Sequence, residues 1–187
     1  MGGTTERVVY MARGGRVLIE HACYHIVARG NQKQVIFKEN DDFDKFLGIV
    51  KMAKKKYTIK IYAYCLMPNH VHLLIDPSDS YEISKFMHWI NRGYTAYFNT
   101  KYEKVGHLWQ GRFKSKPIVK DNYLFHCASY IEMNPLRAGL VTDISNYLWT
   151  SYNERCLLSD TSRLDDIMLY NILKDTVKVE NGDTLKV

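Results

Sequence analysis

The chain has 187 residues, 46% of them hydrophobic and 25% charged, with a formal net charge of +6. That length suits one domain with a sizeable core, the composition is that of a globular protein, and no stretch approaches the run of about 20 apolar residues that spans a membrane. The four cysteines, Cys23, Cys65, Cys127 and Cys156, form no CxxC pair, which speaks against a cysteine zinc site and for reduced, buried thiols in a bacterial-type cytoplasm. The opening stretch MGGTTERVVYMARGG lacks the apolar core of a secretory signal. Residues 1–10 are expected to be without structure, with the fold running over 11–153 and a C-terminal extension over 154–187.

In chain order, HACYHIVARG (21–30) reads as a strand ending in a Gly-Asn turn. NDDFDKFLGIVKMAKKK comes next, with Phe43, Phe46, Leu47, Val50 and Ala53 at helical spacing behind an Asn-Asp cap. YTIKIYAYCLM and HVHLLID alternate as two strands around Pro68-Asn69. A second helix is expected from about Asp79, with Glu82 completing a capping box and Ile83, Phe86, Met87, Ile90, Tyr94 and Tyr97 along one side. RFKSKPIVK reads as a further strand, and a third helix starts at Asp121 with Leu124, Cys127, Ala128 and Ile131 as its apolar stripe. A last helix is expected around 163–174. The order β-α-β-β-α-β-α is that of a ferredoxin-like α+β antiparallel sheet, with helices on one face and the other face free.

Within CLMPNHVHLLIDP, alternation puts His70 and His72 on one face of a strand, opposite Val71, Leu73 and Ile75. In the preceding strand Ile59, Ile61, Ala63 and Cys65 form the apolar set, opposite Tyr62 and Tyr64. Matching apolar faces calls for Tyr64 opposite His72, Tyr62 opposite Leu74, and a three-residue connection Met67-Pro68-Asn69. The polar face would then carry two tyrosines and two histidines. A histidine pair of this kind is more often hydrogen-bonded on a half-wet sheet than a ligand set, so the third helix carries the argument. It brings His126, Tyr130 and Asn134 onto one side at successive i, i+4 positions. Tyrosine can attack a phosphodiester and store the bond energy as an ester, but with a free pKa of about 10 it needs help. Two imidazoles and the Asn134 amide oxygen would hold a divalent cation, Mn²⁺ or Mg²⁺, suited to polarising that phosphate. Spacing alone does not choose Tyr130 over Tyr123. Because Asn134 precedes Pro135, it must close the helix or lie just past it.

Charge is uneven. The stretch 101–120 holds six Lys or Arg against one acid, with Tyr102, Trp109 and Phe113 interleaved, a candidate nucleic-acid surface or a solvated basic loop.

Four blocks, YHIVARGNQKQVIF, YAYCLMPNHVHLLI, GHLWQGRFKSKPI and SYIEMNPLRAGLV, in this order resemble the single-tyrosine HUH transposases, and within them the REP-associated tyrosine transposase branch. The resemblance runs from about Met11 to Tyr152. It implies a metal-dependent enzyme that nicks and rejoins single-stranded or hairpin DNA through a 5′-phosphotyrosine, with no nucleotide cofactor and no membrane partner, as a monomer or homodimer. It carries the metal ligands onto His70, His72 and Asn134 and the nucleophile onto Tyr130; His126 matches no ligand of that family. Arg29, Arg112, Lys114 and Lys116 become candidate phosphate contacts, and Trp109 either a base-stacking ring or a core anchor. Arg137 could equally cap the end of the third helix. The rivals are a domesticated repeat-processing nickase, a hydrolase with a water nucleophile, and a ferredoxin-like module that binds nucleic acid without chemistry.

Overall fold

The computed structural model describes residues 8–10, 17–19, 22–118 and 122–156. The expected helix around 163–174, the start at Asp121 and most of the C-terminal extension lie outside the described residues. Near the N-terminus β1 (Val8–Tyr10) pairs antiparallel with β2 (Val17–Ile19), so three of the residues expected to be without structure belong to a two-stranded ribbon.

The main sheet contains β3 (Cys23–Arg29), β4 (Ile59–Met67), β5 (His70–Pro77) and β6 (Lys114–Ile118), in the spatial order β4-β5-β3-β6 and antiparallel throughout. This is the ferredoxin-like order. Helices α1 (Asn40–Lys56) and α2 (Glu82–Lys101) cover one face. Phe43, Phe46, Leu47, Val50 and Ala53 of α1 and Ile83, Phe86, Met87, Ile90 and Tyr94 of α2 pack there on Ile26, Ala28, Val71, Leu73 and Ile75. The α2 stripe ends in Phe98, with Tyr97 only partly buried. The box expected at Asp79 does not form. Asp79 Oδ1 accepts the Tyr81 amide at 2.8 Å, closing a separate turn, and the helix begins at Glu82.

The opposite face is not left free. Helix α3 (Asn122–Glu132) lays Leu124, Cys127, Ala128 and Ile131 on Tyr62, Ala63, Cys65, Met67 and Leu74, covering the β4 side of the sheet. Its apolar stripe needs an apolar floor, and β4 supplies one through a change of register. A bulge at Tyr62 pairs Ile61 with Ile75 but Ala63 with Leu74, and thereafter Cys65 with His72 and Met67 with His70. Tyr64 therefore turns to the α1 and α2 core, Cys65 takes the place expected for it opposite His72, and the hairpin connection holds two residues, Pro68 and Asn69. The expected floor of two tyrosines and two histidines does not exist: Tyr62 is buried with its hydroxyl 2.6 Å from Asp76 Oδ2. With both faces of β4 buried, YAYCLM has no polar-apolar alternation from which to read its register.

After α3, the short helix α4 (Asn134–Arg137) has Pro135 in its first turn, so Asn134 lies just past α3. The chain then returns along the outer edge of β4. Leu66 N donates to Trp149 O at 2.8 Å and Ser151 N to Tyr64 O at 3.0 Å, before α5 (Tyr152–Cys156). That edge is thereby capped. Among the described residues Cys23, Cys65 and Cys127 are buried.

Candidate active site

His70 opens β5 directly after the Pro68-Asn69 turn. Its Nδ1 lies 2.5 Å from Asn69 Oδ1, an atom that can only accept, so Nδ1 carries the proton and Nε2 keeps the lone pair. His72 Nδ1 lies 2.9 Å from Nε2 of His25 in β3, and their rings stack with centroids 5.1 Å apart. His72 Nε2 is buried and has no hydrogen-bond partner. The His70 and His72 rings meet edge to face at 4.9 Å.

All three imidazoles are held neutral. Burial, reinforced by His25, His70 and Arg29, depresses His72 to about 3. Burial with Lys116 brings His25 to about 4, and burial with Arg29 also lowers His70. A neutral imidazole with an Nε2 left out of hydrogen bonding, as in His72, is in the form that can ligate a metal at neutral pH.

Tyr130 stands on α3 with 46% of its surface exposed, and its ring meets the edge of His25 at 6.2 Å. The rings of Tyr130, His25, His72 and His70 thus form one continuous series. The Arg137 guanidinium lies 4.7 Å above the Tyr130 ring, so this side chain is turned to the tyrosine. Tyr130 and Arg137 share a cleft with His25, Lys116, Tyr123 and His126. Tyr123 is exposed in that cleft, but the ring contact to His25 belongs to Tyr130. Asn134 donates Nδ2 to the carbonyls of Tyr130 at 2.9 Å and Ile131 at 3.0 Å, which ties it to the end of α3 and leaves Oδ1 as its acceptor. Both bonds run to α3 and not to the histidines.

The basic residues divide into two groups. Register puts Lys114 beside Val27 and Lys116 beside His25, while Arg29 pairs with His70, so these three exposed cations border the histidines on the part of the face not covered by α3. Arg112 instead lines a separate cleft against α2, with His88, Arg92 and Thr95. Trp109 resolves as a core anchor rather than a stacking ring. It is 9% exposed, packs near Phe46 and Tyr94, and donates Nε1 to Asn91 O at 3.1 Å. Its large apolar ring fills the space between α1 and α2, which a surface role would leave empty.

Sequence reasoning missed His25. Alternation in YHIVARG does place it opposite Tyr24, Ile26 and Ala28, on the polar face, and that is the signal that could have found it. Among the described residues no three His, Cys, Asp or Glu gather into a metal cage. The donors on offer are two imidazoles and an amide, and the buried, unpartnered Nε2 of His72 is the atom that fits a cation.

Fold and site together define an α+β domain in which a strand-borne histidine pair stands below a helix-borne tyrosine. Residues 19–134 match the family described as "Transposase IS200 like", and the chain belongs to that family. The matched span contains His70, His72, Tyr130 and Asn134. The chain is 26% identical over 124 residues to a Haemophilus influenzae protein named as a REP-associated tyrosine transposase, covering 60% of this chain and 70% of that one. A solved REP-associated tyrosine transposase bound to a REP hairpin is similar in fold, with a TM-score of 0.67 at 16% identity, over 84% of this chain and 99% of that one.

Proposed function

We propose that this member of the IS200-like family is a divalent-metal-dependent enzyme that cuts and rejoins single-stranded or hairpin DNA through an ester between Tyr130 and a 5′-phosphate. The observation that carries the reading is His72 Nε2, a buried nitrogen without a partner, in a ring series that ends at an exposed tyrosine. Burying a polar atom unpaired costs about 1–3 kcal/mol, and a metal ligand is a physical reason to bear that cost. Hairpin DNA is the partner favoured by similarity to the hairpin-bound structure. No helix among the described residues is long and apolar enough to cross a membrane.

His70, His72 and the Oδ1 of Asn134 would hold Mn²⁺ or Mg²⁺. The cation, when bound, would polarise the scissile phosphate and ease development of charge on it. Everything else falls to the chain. Arg29, Lys114 and Lys116 hold the backbone phosphates along the open part of the sheet. His25 accepts the Nδ1 proton of His72 and so fixes the tautomer that leaves Nε2 free. Arg137 holds the Tyr130 ring from its face. The Tyr130 oxygen forms a bond to phosphorus and loses its proton; the bond from phosphorus to the 3′ oxygen breaks, and that oxygen takes up a proton as a free 3′-OH. Attack by a 3′-OH on the tyrosine ester reverses these steps and joins strands, so no nucleotide is consumed.

Covalent capture tests the reading. Labelled single-stranded and hairpin DNA would be incubated with Mn²⁺ or Mg²⁺ and the protein, alongside Tyr130→Phe, Tyr123→Phe and His70→Ala. A denaturation-resistant adduct should form, persist in Tyr123→Phe and vanish in the other two. Cleavage without an adduct would replace this reading with a hydrolase. Binding without cleavage would leave a nucleic-acid-binding module.

A further inference from the structure

Tyr130, the nucleophile of that reading, stands on the last full turn of α3 with its side chain half exposed, against Arg137 and His25. Something else must set the angle of that turn. Two residues on, Glu132 is 3% exposed. At 100° per residue the two side chains diverge by about 200° around the helix, so Tyr130 faces the cleft while Glu132 faces the edge of β4.

There the returning segment holds Glu132 at three points. Ser151 Oγ donates to Glu132 Oε1 at 2.5 Å, and the Arg155 guanidinium forms an ion pair with the same oxygen. Thr150 Oγ1 lies 3.3 Å from the Glu132 carbonyl and 3.2 Å from that of Tyr64. Thr150 also bridges to Cys65, the residue paired with His72. A path of direct contacts therefore runs from the turn that carries Tyr130, through Glu132 and Thr150, to the strand position beside His72.

We propose, resting on the reading of Tyr130 as nucleophile, that Glu132 is a positioning residue and that Thr150–Arg155 is the clamp that fixes the tyrosine relative to the histidine pair. The α3 stripe beneath this turn, Cys127, Ala128 and Ile131, makes apolar contacts, which carry no direction of their own. A rotation of α3 that moved the phenol would have to pull Glu132 from Ser151 and Arg155. Replacing a buried ion pair with apolar residues of similar volume often leaves stability unchanged, so stability alone does not call for a carboxylate here. A directional, two-partner contact supplies what an apolar one lacks, a defined angle.

The test separates stability from positioning. Glu132→Gln, Arg155→Met and the double variant Glu132→Met with Arg155→Met would be compared with the wild-type chain. Thermal melting, hairpin-DNA affinity and the single-turnover rate of adduct formation at saturating DNA would be measured. The double variant should melt near the wild-type temperature and bind DNA as tightly, yet form adduct about 10- to 100-fold more slowly. Equal adduct rates in folded variants would overturn the clamp. A second readout needs no catalysis: 3-fluorotyrosine at position 130 should give one ¹⁹F line in the wild-type chain and several or broadened lines in Glu132→Gln. If the wild-type chain forms no adduct, the nucleophile reading falls, and an unchanged ¹⁹F line then also removes the clamp.

Discussion

His72 illustrates how one side chain acquires its chemistry from neighbours that lie far off in sequence. Its Nδ1 is occupied by His25, which leaves Nε2 as the ring nitrogen without a partner, the proposed metal donor. Removing the partner of a metal-ligating imidazole typically costs about 10- to 100-fold in metal affinity. His25→Ala is therefore expected to weaken Mn²⁺ binding by that order, read by calorimetry or electron paramagnetic resonance, while His88→Ala on the far face leaves it unchanged. The same burial makes stability depend on pH. An unfolded histidine titrates near 6.5, whereas His25 and His72 in the fold titrate at about 4 and about 3. Between those limits the unfolded chain binds more protons, so their contribution is complete above about pH 6.5 and is lost as pH falls toward 4. Denaturant melts from pH 7.5 to 4.5 should show this slope, and His25→Gln should reduce it.

Among the elements, the hairpin that presents the histidines depends on a close backbone approach. Gly30 N donates to Asn69 O at 2.8 Å, and a Cβ at Gly30 would stand 2.5 Å from the Gln34 carbonyl oxygen and 2.7 Å from Ile36 Cγ2. Backbone does not yield as a flexible side chain does. Gly30→Ala should cost about 1–3 kcal/mol in a thermal or urea melt, and should loosen Asn69 from His70. The strands and helices themselves were legible where one face alone is buried, as in β5 and α1. They were misread in β4, which is apolar on both sides, and at the start of α2, where Asp79 serves a turn rather than a cap.

Across the whole molecule, the two long helices are joined by a buried carboxylate. Asp42 of α1 is fully buried and accepts the Lys38 amide, the Tyr97 and Tyr102 hydroxyls and Lys101 Nζ. Burial alone would raise its pKa, but the hydrogen bonds, led by that from Tyr102, outweigh burial and hold the carboxyl below its ordinary value. Its contribution is therefore present above about pH 4 and is lost as pH falls through the folded value. Asp42→Ala removes the buried acceptor shared by these groups, while Lys101 and Tyr102 keep Glu39 and Tyr97 keeps Lys101, and should cost about 1–3 kcal/mol by chemical denaturation; Asp42→Asn should flatten the acid limb below pH 4. The two faces of the sheet thus have separate tasks: α1 and α2 with this network form the main core, and α3 brings Tyr130 to the other side.

Periods of 2 and 3.6 are local properties, and the amino-acid sequence alone determined their consequences. These are the order of elements, the apolar stripes of the three helices, and a histidine pair on one face of a strand ahead of a helix bearing a tyrosine. Four short blocks of residues sufficed to point to the family. Only the tertiary structure decided that α3 covers the second face, that β4 shifts by one residue to receive it, that Trp109 belongs to the core, and that His25 and Glu132 stand behind the candidate site. Each of these rests on contact between residues far apart in sequence, His25 with His72 and Trp109 with Phe46 among them. No local pattern encodes such contacts; packing two faces of one sheet at once selects them.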